Sequence, residues 1–282
     1  MHRVIPTARY CAVLLLLLAG CAACARPSAQ RLVRKADWHW QGIPAGGFDL
    51  AAAWRAGSDR SGTVIVYIEG DGLAYARGGR RSLDPTPTDP LALRLALQHP
   101  GGGAVAWLAR PCQYRPRGRN CHSDYWSIAR LSPEVVDSAD IALDQLKRAT
   151  NRARIILVGY SGGGALAALL AQRRRDVAGL VTVAANLDLA AWVRARHLTP
   201  LSRSLDPATN AAVVSALPQV HFVGSEDRVV DPSIAHGFVA RMAPTAPASI
   251  VVVTGQDHGS GWANRWPKLA ACIDLTQIEG WR

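Results

Sequence analysis

The sequence predicts an α/β protein: a mostly parallel central sheet covered by helices on both faces. Short runs of apolar, often β-branched residues, at 63–68, 104–108 and 154–158, alternate with helical patterns. Those runs are apolar at successive positions, as strands buried on both faces must be. The 282 residues, 49% hydrophobic and 19% charged, are enough for one full core without metals or cysteines to hold it.

The elements follow in order along the chain. Residues 48–56 alternate weakly and read as an early strand. Residues 63–68 form a strand that ends at Glu69-Gly70-Asp71-Gly72. A Pro- and Gly-rich loop over 74–90 leads into a helix at 91–98, which His99-Pro100-Gly101 terminates. Residues 104–108 are a buried-type strand. Ser132-Pro133-Glu134 joins a cap residue to a first-position proline and starts a helix reaching Thr150. Strand 154–158, helix 164–173, strand 177–184, strand 220–223, helix 232–242 and strand 249–253 come next. A last helix begins at Trp266. The segment 189–216 lies between two of the last strands, carries Pro200 and Pro207, and is expected to form a small cap. There is no internal repeat and no compositional break after residue 35, so residues 35–282 read as one domain.

Residues 1–20 read as an export signal. Arg3 and Arg9 are followed by an apolar run over 11–18, too short to span a bilayer, and then by small residues. Leu18-Ala19-Gly20-Cys21 resembles the lipobox of bacterial lipoproteins. The resemblance implies acylation of the Cys21 thiol and a lipid-anchored protein of the bacterial cell envelope, with the membrane as partner. Ala22, in place of Asp, resembles the outer-membrane sorting pattern, with the protein facing the periplasm. An ordinary signal cut nearby is the alternative. Residues 21–34 then read as a tether.

The formal net charge of +11 is almost all arginine, since the sequence has only Lys35, Lys147 and Lys268. The arginines are scattered, with no long basic tract and no interleaved aromatics, so nucleic acid is not an expected partner. They make either a solvated surface or an attraction to anionic membranes, which salt screens within ~10 Å. Cys112 and Cys121 bracket a loop rich in Arg, Pro and Gly. In an oxidising compartment a disulfide is expected there, with two free thiols the alternative. No second Cys/His pair completes a zinc site, so no metal is expected. Cys272, in the apolar stretch 269–273, is expected to be a buried core thiol, and Cys24 has no evident partner.

The densest chemistry lies in residues 154–170, where Ile155-Ile-Leu-Val runs into Gly159-Tyr160-Ser161-Gly162-Gly163 and then into an Ala/Leu helix. A serine on a tight strand-to-helix turn has its hydroxyl exposed. Side chains at Gly159 and Gly163 would collide with the neighbouring strand and helix. The pattern resembles the nucleophile elbow of the α/β-hydrolases. A structural turn with a spectator serine is the alternative.

A serine hydroxyl needs a base, normally a histidine held by a carboxylate. Two later loops resemble the acid and histidine loops of the same superfamily, in its chain order. Gly224-x-x-Asp227-x-x-Val230 follows a strand, and Asp227 is the expected acid, with Glu226, Asp231 and Asp188 as rivals. His258 follows the last strand and is the expected base, while the adjacent Asp257 is expected to point elsewhere. The resemblance further implies a sheet of about eight strands, no cofactor, and an acyl-enzyme on Ser161. It places the oxyanion hole at the amides of Gly162 and Asp71. Glu69 stands where histidine is frequent; it could orient that loop or read a cationic group. Trp107, Trp126, Trp192 and Trp262 could line an acyl pocket or anchor the core. The expected substrate is a small ester or acyl compound. A peptidase or amidase of the same fold, and a non-catalytic envelope lipoprotein that uses the fold to bind, are the alternatives.

Overall fold

The computed structural model describes residues 28–59, 62–115 and 117–281; Cys21, Cys24 and the signal-like segment lie outside the described residues. The strands are β1 (His39–Ala45), β2 (Phe48–Arg55), β3 (Thr63–Ile68), β4 (Ala104–Leu108), β5 (Arg154–Tyr160), β6 (Val177–Val183), β7 (Gln219–Gly224) and β8 (Ala248–Val253). They form one eight-stranded sheet in the order β1-β2-β4-β3-β5-β6-β7-β8. From β3 to β8 every pairing is parallel, and β2 pairs antiparallel with both β1 and β4.

Parallel strands need long crossovers, and helices supply them. These are α1 (Ala29–Lys35), α2 (Leu91–Leu97), α3 (Pro133–Thr150), α4 (Gly162–Arg173), α5 (Leu189–Arg196), α6 (Ser233–Val239), α7 (Trp262–Leu269) and α8 (Ile273–Thr276). The strand β3 shows how the successive apolar positions are used. Val64, Val66 and Ile68 face a core layer shared with α3 and α4, and Ile65 and Tyr67 face a second layer shared with α2 and α7. Each face is closed, so both sets of side chains leave water.

One strand was not expected, and several expectations need correction. The strand β1 has no clean sequence pattern because Gly42 and Pro44 interrupt it; an edge strand tolerates proline, and Pro44 pairs with Asp49 in the hairpin register. The tether reading fails over residues 29–34. That stretch is helical, and Ala29 and Val33, one turn apart, are buried against the second core layer. Cys272 is half-buried rather than core, because it caps the start of α8. Ser132 occupies the start of α3 with Pro133 behind it, yet its hydroxyl makes no capping bond. The segment 189–216 lies between β6 and β7. Its 3-10 stretch Pro207–Val214 packs against α4 and α6, so only its first part reaches the cleft. Among the described residues no helix is long and apolar enough to cross a membrane.

Candidate active site

At the end of β5 the chain turns through Ser161, which holds φ 50° and ψ −122°, and α4 begins at Gly162. Such a backbone is strained for a residue with a side chain. The surroundings enforce it: a Cβ on Gly159 would overlap Gly163 O and Gly164 Cα, and one on Gly163 would overlap the carbonyls of Ile68 and Glu69. The turn is thus clamped between β3 and its own helix. The Ser161 amide donates to Val183 O of β6 at 2.9 Å.

Two loops at the carboxyl ends of β7 and β8 deliver the other side chains. His258 Nε2 lies 3.1 Å from Ser161 Oγ. His258 Nδ1 lies 2.8 Å from Asp227 Oδ2. A carboxylate only accepts, so Nδ1 carries the proton and Nε2 offers its lone pair to the serine hydroxyl. The Asp227 side chain is wholly buried. Its other oxygen, Oδ1, accepts the Val229 and Val230 amides, each at 2.8 Å, which fixes the carboxylate plane. The sequence rivals are employed elsewhere. Asp188 caps α5 through the Ala191 amide and pairs with Arg241, Asp231 accepts the Ser233 amide, and Glu226 is exposed. Asp257 accepts the amides of Gly259 and Ser260 and the Ser260 hydroxyl; these bonds hold its carboxyl below the usual range.

The main chain at His258 is also held. Its carbonyl accepts Tyr160 Oη at 3.2 Å and Trp262 Nε1 at 3.0 Å. Tyr160 and Trp262 are both visible in the sequence, one in the elbow and one among the tryptophans, but these bonds to a main-chain carbonyl are not; for Tyr160 that carbonyl lies 98 residues along the chain.

The loop after β3 lies against the elbow. Neither the Gly162 amide nor the Asp71 amide donates to a protein acceptor among the described residues, so both are free to meet an oxyanion. Glu69 stands at the base of the cleft, with its carboxylate turned to protein donors. It is buried and accepts Gly70 N at 3.1 Å, Ala92 N at 3.2 Å, Leu93 N at 3.4 Å and Trp107 Nε1 at 3.0 Å, joining this loop to the start of α2. Burial lifts its carboxyl to about 7 despite those four donors. Of the two roles open to it in the sequence, the geometry shows the orienting one.

The Asp71 carboxylate packs on the Cα of Gly162, where a methyl group would overlap it. It accepts Arg110 Nη1 at 3.1 Å and Arg130 Nη1 at 2.6 Å. Burial alone would raise this carboxyl, but the two guanidiniums outweigh burial and hold it below its ordinary range. Arg110 also donates to Arg130 O, and Gln113 Nε2 donates to Gly70 O at 2.8 Å. Cys112 and Cys121 form a disulfide, with Cα atoms 5.5 Å apart, in this same supporting loop. Arg110, Gln113 and Arg130 carry no sequence signal, because only the fold brings them under Asp71.

The cleft above Ser161 has a volume of about 590 Å³ and is lined by Leu73, Leu91, Trp192 and Val229 together with Arg130 and Asn186. Of the four tryptophans considered from sequence only Trp192 lines it; Trp107, Trp126 and Trp262 are buried in the core.

The comparisons agree with this architecture. The profile of a family described as serine aminopeptidase, S33, matches residues 125–214. A puromycin hydrolase is similar at 17% identity and TM-score 0.59 over 86% of this chain, which spans 40% of that enzyme. An alpha-beta serine hydrolase homologue from Coxiella burnetii is similar at 17% identity and TM-score 0.58, covering 85% of this chain and 97% of its own. A Pyrococcus furiosus esterase is similar at 14% identity and TM-score 0.59, covering 88% and 94%. The chain has the α/β-hydrolase fold. No curated protein matches by sequence. In this fold the elbow, acid loop and histidine loop all open at the carboxyl edge of the parallel strands, where ligands meet open α/β sheets.

Proposed function

We propose that the protein is a serine hydrolase that cleaves carboxylic ester-like bonds through an acyl-enzyme on Ser161. The observation that carries this is the continuous hydrogen-bonded line from Ser161 Oγ to His258 at 3.1 Å and from His258 to the buried Asp227 at 2.8 Å. Ser161 Oγ attacks the carbonyl carbon while its proton passes to His258 Nε2. The oxyanion meets the amides of Gly162 and Asp71. The tetrahedral species collapses, the leaving group takes the proton from Nε2, and the acyl group stays on Ser161. Water then attacks with His258 again as base and releases the acid. Asp227 keeps Nδ1 protonated and stabilises the imidazolium.

The matching profile and the puromycin hydrolase favour a second reading, hydrolysis of an amide or peptide bond by the same machinery. Steady-state turnover of matched p-nitrophenyl esters and p-nitroanilides separates the two. Ester turnover lost in Ser161→Ala supports the first reading. Faster anilide turnover supports the second, and turnover retained by Ser161→Ala excludes both.

We also propose attachment to the bacterial cell envelope through acylated Cys21, on the strength of Leu18-Ala19-Gly20-Cys21. Metabolic labelling with palmitate tests it. Label present in the wild type and absent in Cys21→Ala is expected; equal label in both refutes it.

A further inference from the structure

Asn186 stands in the turn between β6 and α5. The elbow fixes its place. A Cβ on Gly164 would overlap the Ala185 methyl, so this turn is pressed directly against the start of α4. Ala184 donates its amide to Phe222 O at 2.9 Å and takes a left-handed backbone, φ 49°, which carries the chain off the sheet. Asn186 then lines the same cleft as Ser161.

The side chain is 1% exposed, yet Oδ1 has no hydrogen-bond partner. Its carboxamide nitrogen likewise bonds to no protein acceptor among the described residues. Buried carboxamides are normally satisfied, because leaving one dry and unpaired costs free energy. The neighbouring loop residues leave it so: Asp188, two positions on, is taken by the cap of α5 and by Arg241.

We propose that Asn186 hydrogen-bonds an amide group of the substrate close to the scissile carbonyl. A carboxamide presents an acceptor and a donor side by side. The complementary partner is another amide, whose N–H and C=O lie at similar spacing. An alkyl chain would leave Asn186 unpaired in the complex, and sites of this kind reject analogues that lack the bonding group. The substrate class is therefore an N-acylamino acid ester or a short peptide, not a plain fatty ester. The inference rests on the serine hydrolase reading and adds its substrate class.

The test compares wild type, Asn186→Ala and Asn186→Asp on two p-nitrophenyl esters. One is the ester of an N-acylglycine; the other is an alkyl ester of equal length with CH₂–CH₂ in place of the amide. Asn186→Ala is expected to lower kcat/KM for the amide ester at least tenfold more than for the alkyl ester. Asn186→Asp, which keeps the acceptor and loses the donor, is expected to fall between. The melting temperature of the free protein should not drop in Asn186→Ala, since no protein hydrogen bond is lost. Equal losses on both esters, or a clear fall in Tm in both variants, would overturn the proposal. Fluorophosphonate labelling of Ser161 keeps the outcomes apart. Normal labelling with equal losses condemns the Asn186 role alone, whereas an unlabelled, folded wild type condemns the hydrolase reading beneath it.

Discussion

Replacing Asp71 by alanine removes the one carboxylate that Arg110 and Arg130 reach among the described residues. The three side chains are 5%, 7% and 15% exposed, so solvent cannot take over the charge. Breaking a buried pair by deleting one partner costs ~3–5 kcal/mol, and here two cations are stranded together, which favours the upper part of that range. At this chain length each kcal/mol moves Tm by roughly 2–4 °C, so a fall of roughly 6–20 °C is expected. The stabilisation is present above the ordinary aspartate range and is lost as pH falls through the depressed folded value, because acid protonates Asp71. Urea unfolding at neutral pH measures the loss directly. Asp137→Ala is the internal control: its partner Arg173 is 42% exposed and Asp137 57%, so that change should cost ~0–1 kcal/mol. An Asp71→Ala loss no larger than that of the control would refute the view that a buried ion cluster supports the loop after β3.

Two further outcomes follow from the same loop. The Cys112–Cys121 disulfide lies in the segment whose Gln113 holds Gly70 O. Its removal in Cys112→Ser/Cys121→Ser should cost roughly 2–3 kcal/mol by loop entropy, and kcat should fall with it; unchanged kcat and Tm would contradict the support role. Glu69 is held up to about 7 by burial against an ordinary value of 4.5, so the folded state binds its proton more tightly than the unfolded chain. Stability from this group should therefore decline as pH rises through that window, by about 3 kcal/mol in all, and level off above it. Glu69→Gln should flatten the slope in pH-dependent urea midpoints, and an unaltered slope would show that other groups set it.

The fold class was legible because buried parallel strands write themselves as continuous apolar runs, and because Gly159-Tyr160-Ser161-Gly162-Gly163 sits between such a run and an Ala/Leu helix. Asp227 and His258 could be named because each follows a strand by a short loop, and the structure brings both to Ser161. What escaped is what only long-range packing creates. Arg110 and Arg130 look like two more arginines in an Arg-rich chain until the fold buries them against Asp71. Asn186 is unremarkable in sequence, and its empty hydrogen-bond capacity exists only in the packed cleft. The strand β1 was hidden by Gly42 and Pro44, and α1 by its brevity and its basic residues.

The proposed function requires Ser161 to be an activated nucleophile. Peptide-mapped mass spectrometry of the protein treated with a fluorophosphonate tests it most directly. One adduct is expected, on Ser161, absent in Ser161→Ala and formed far more slowly in His258→Ala. A folded protein that takes no adduct, or takes it on another residue, would contradict it.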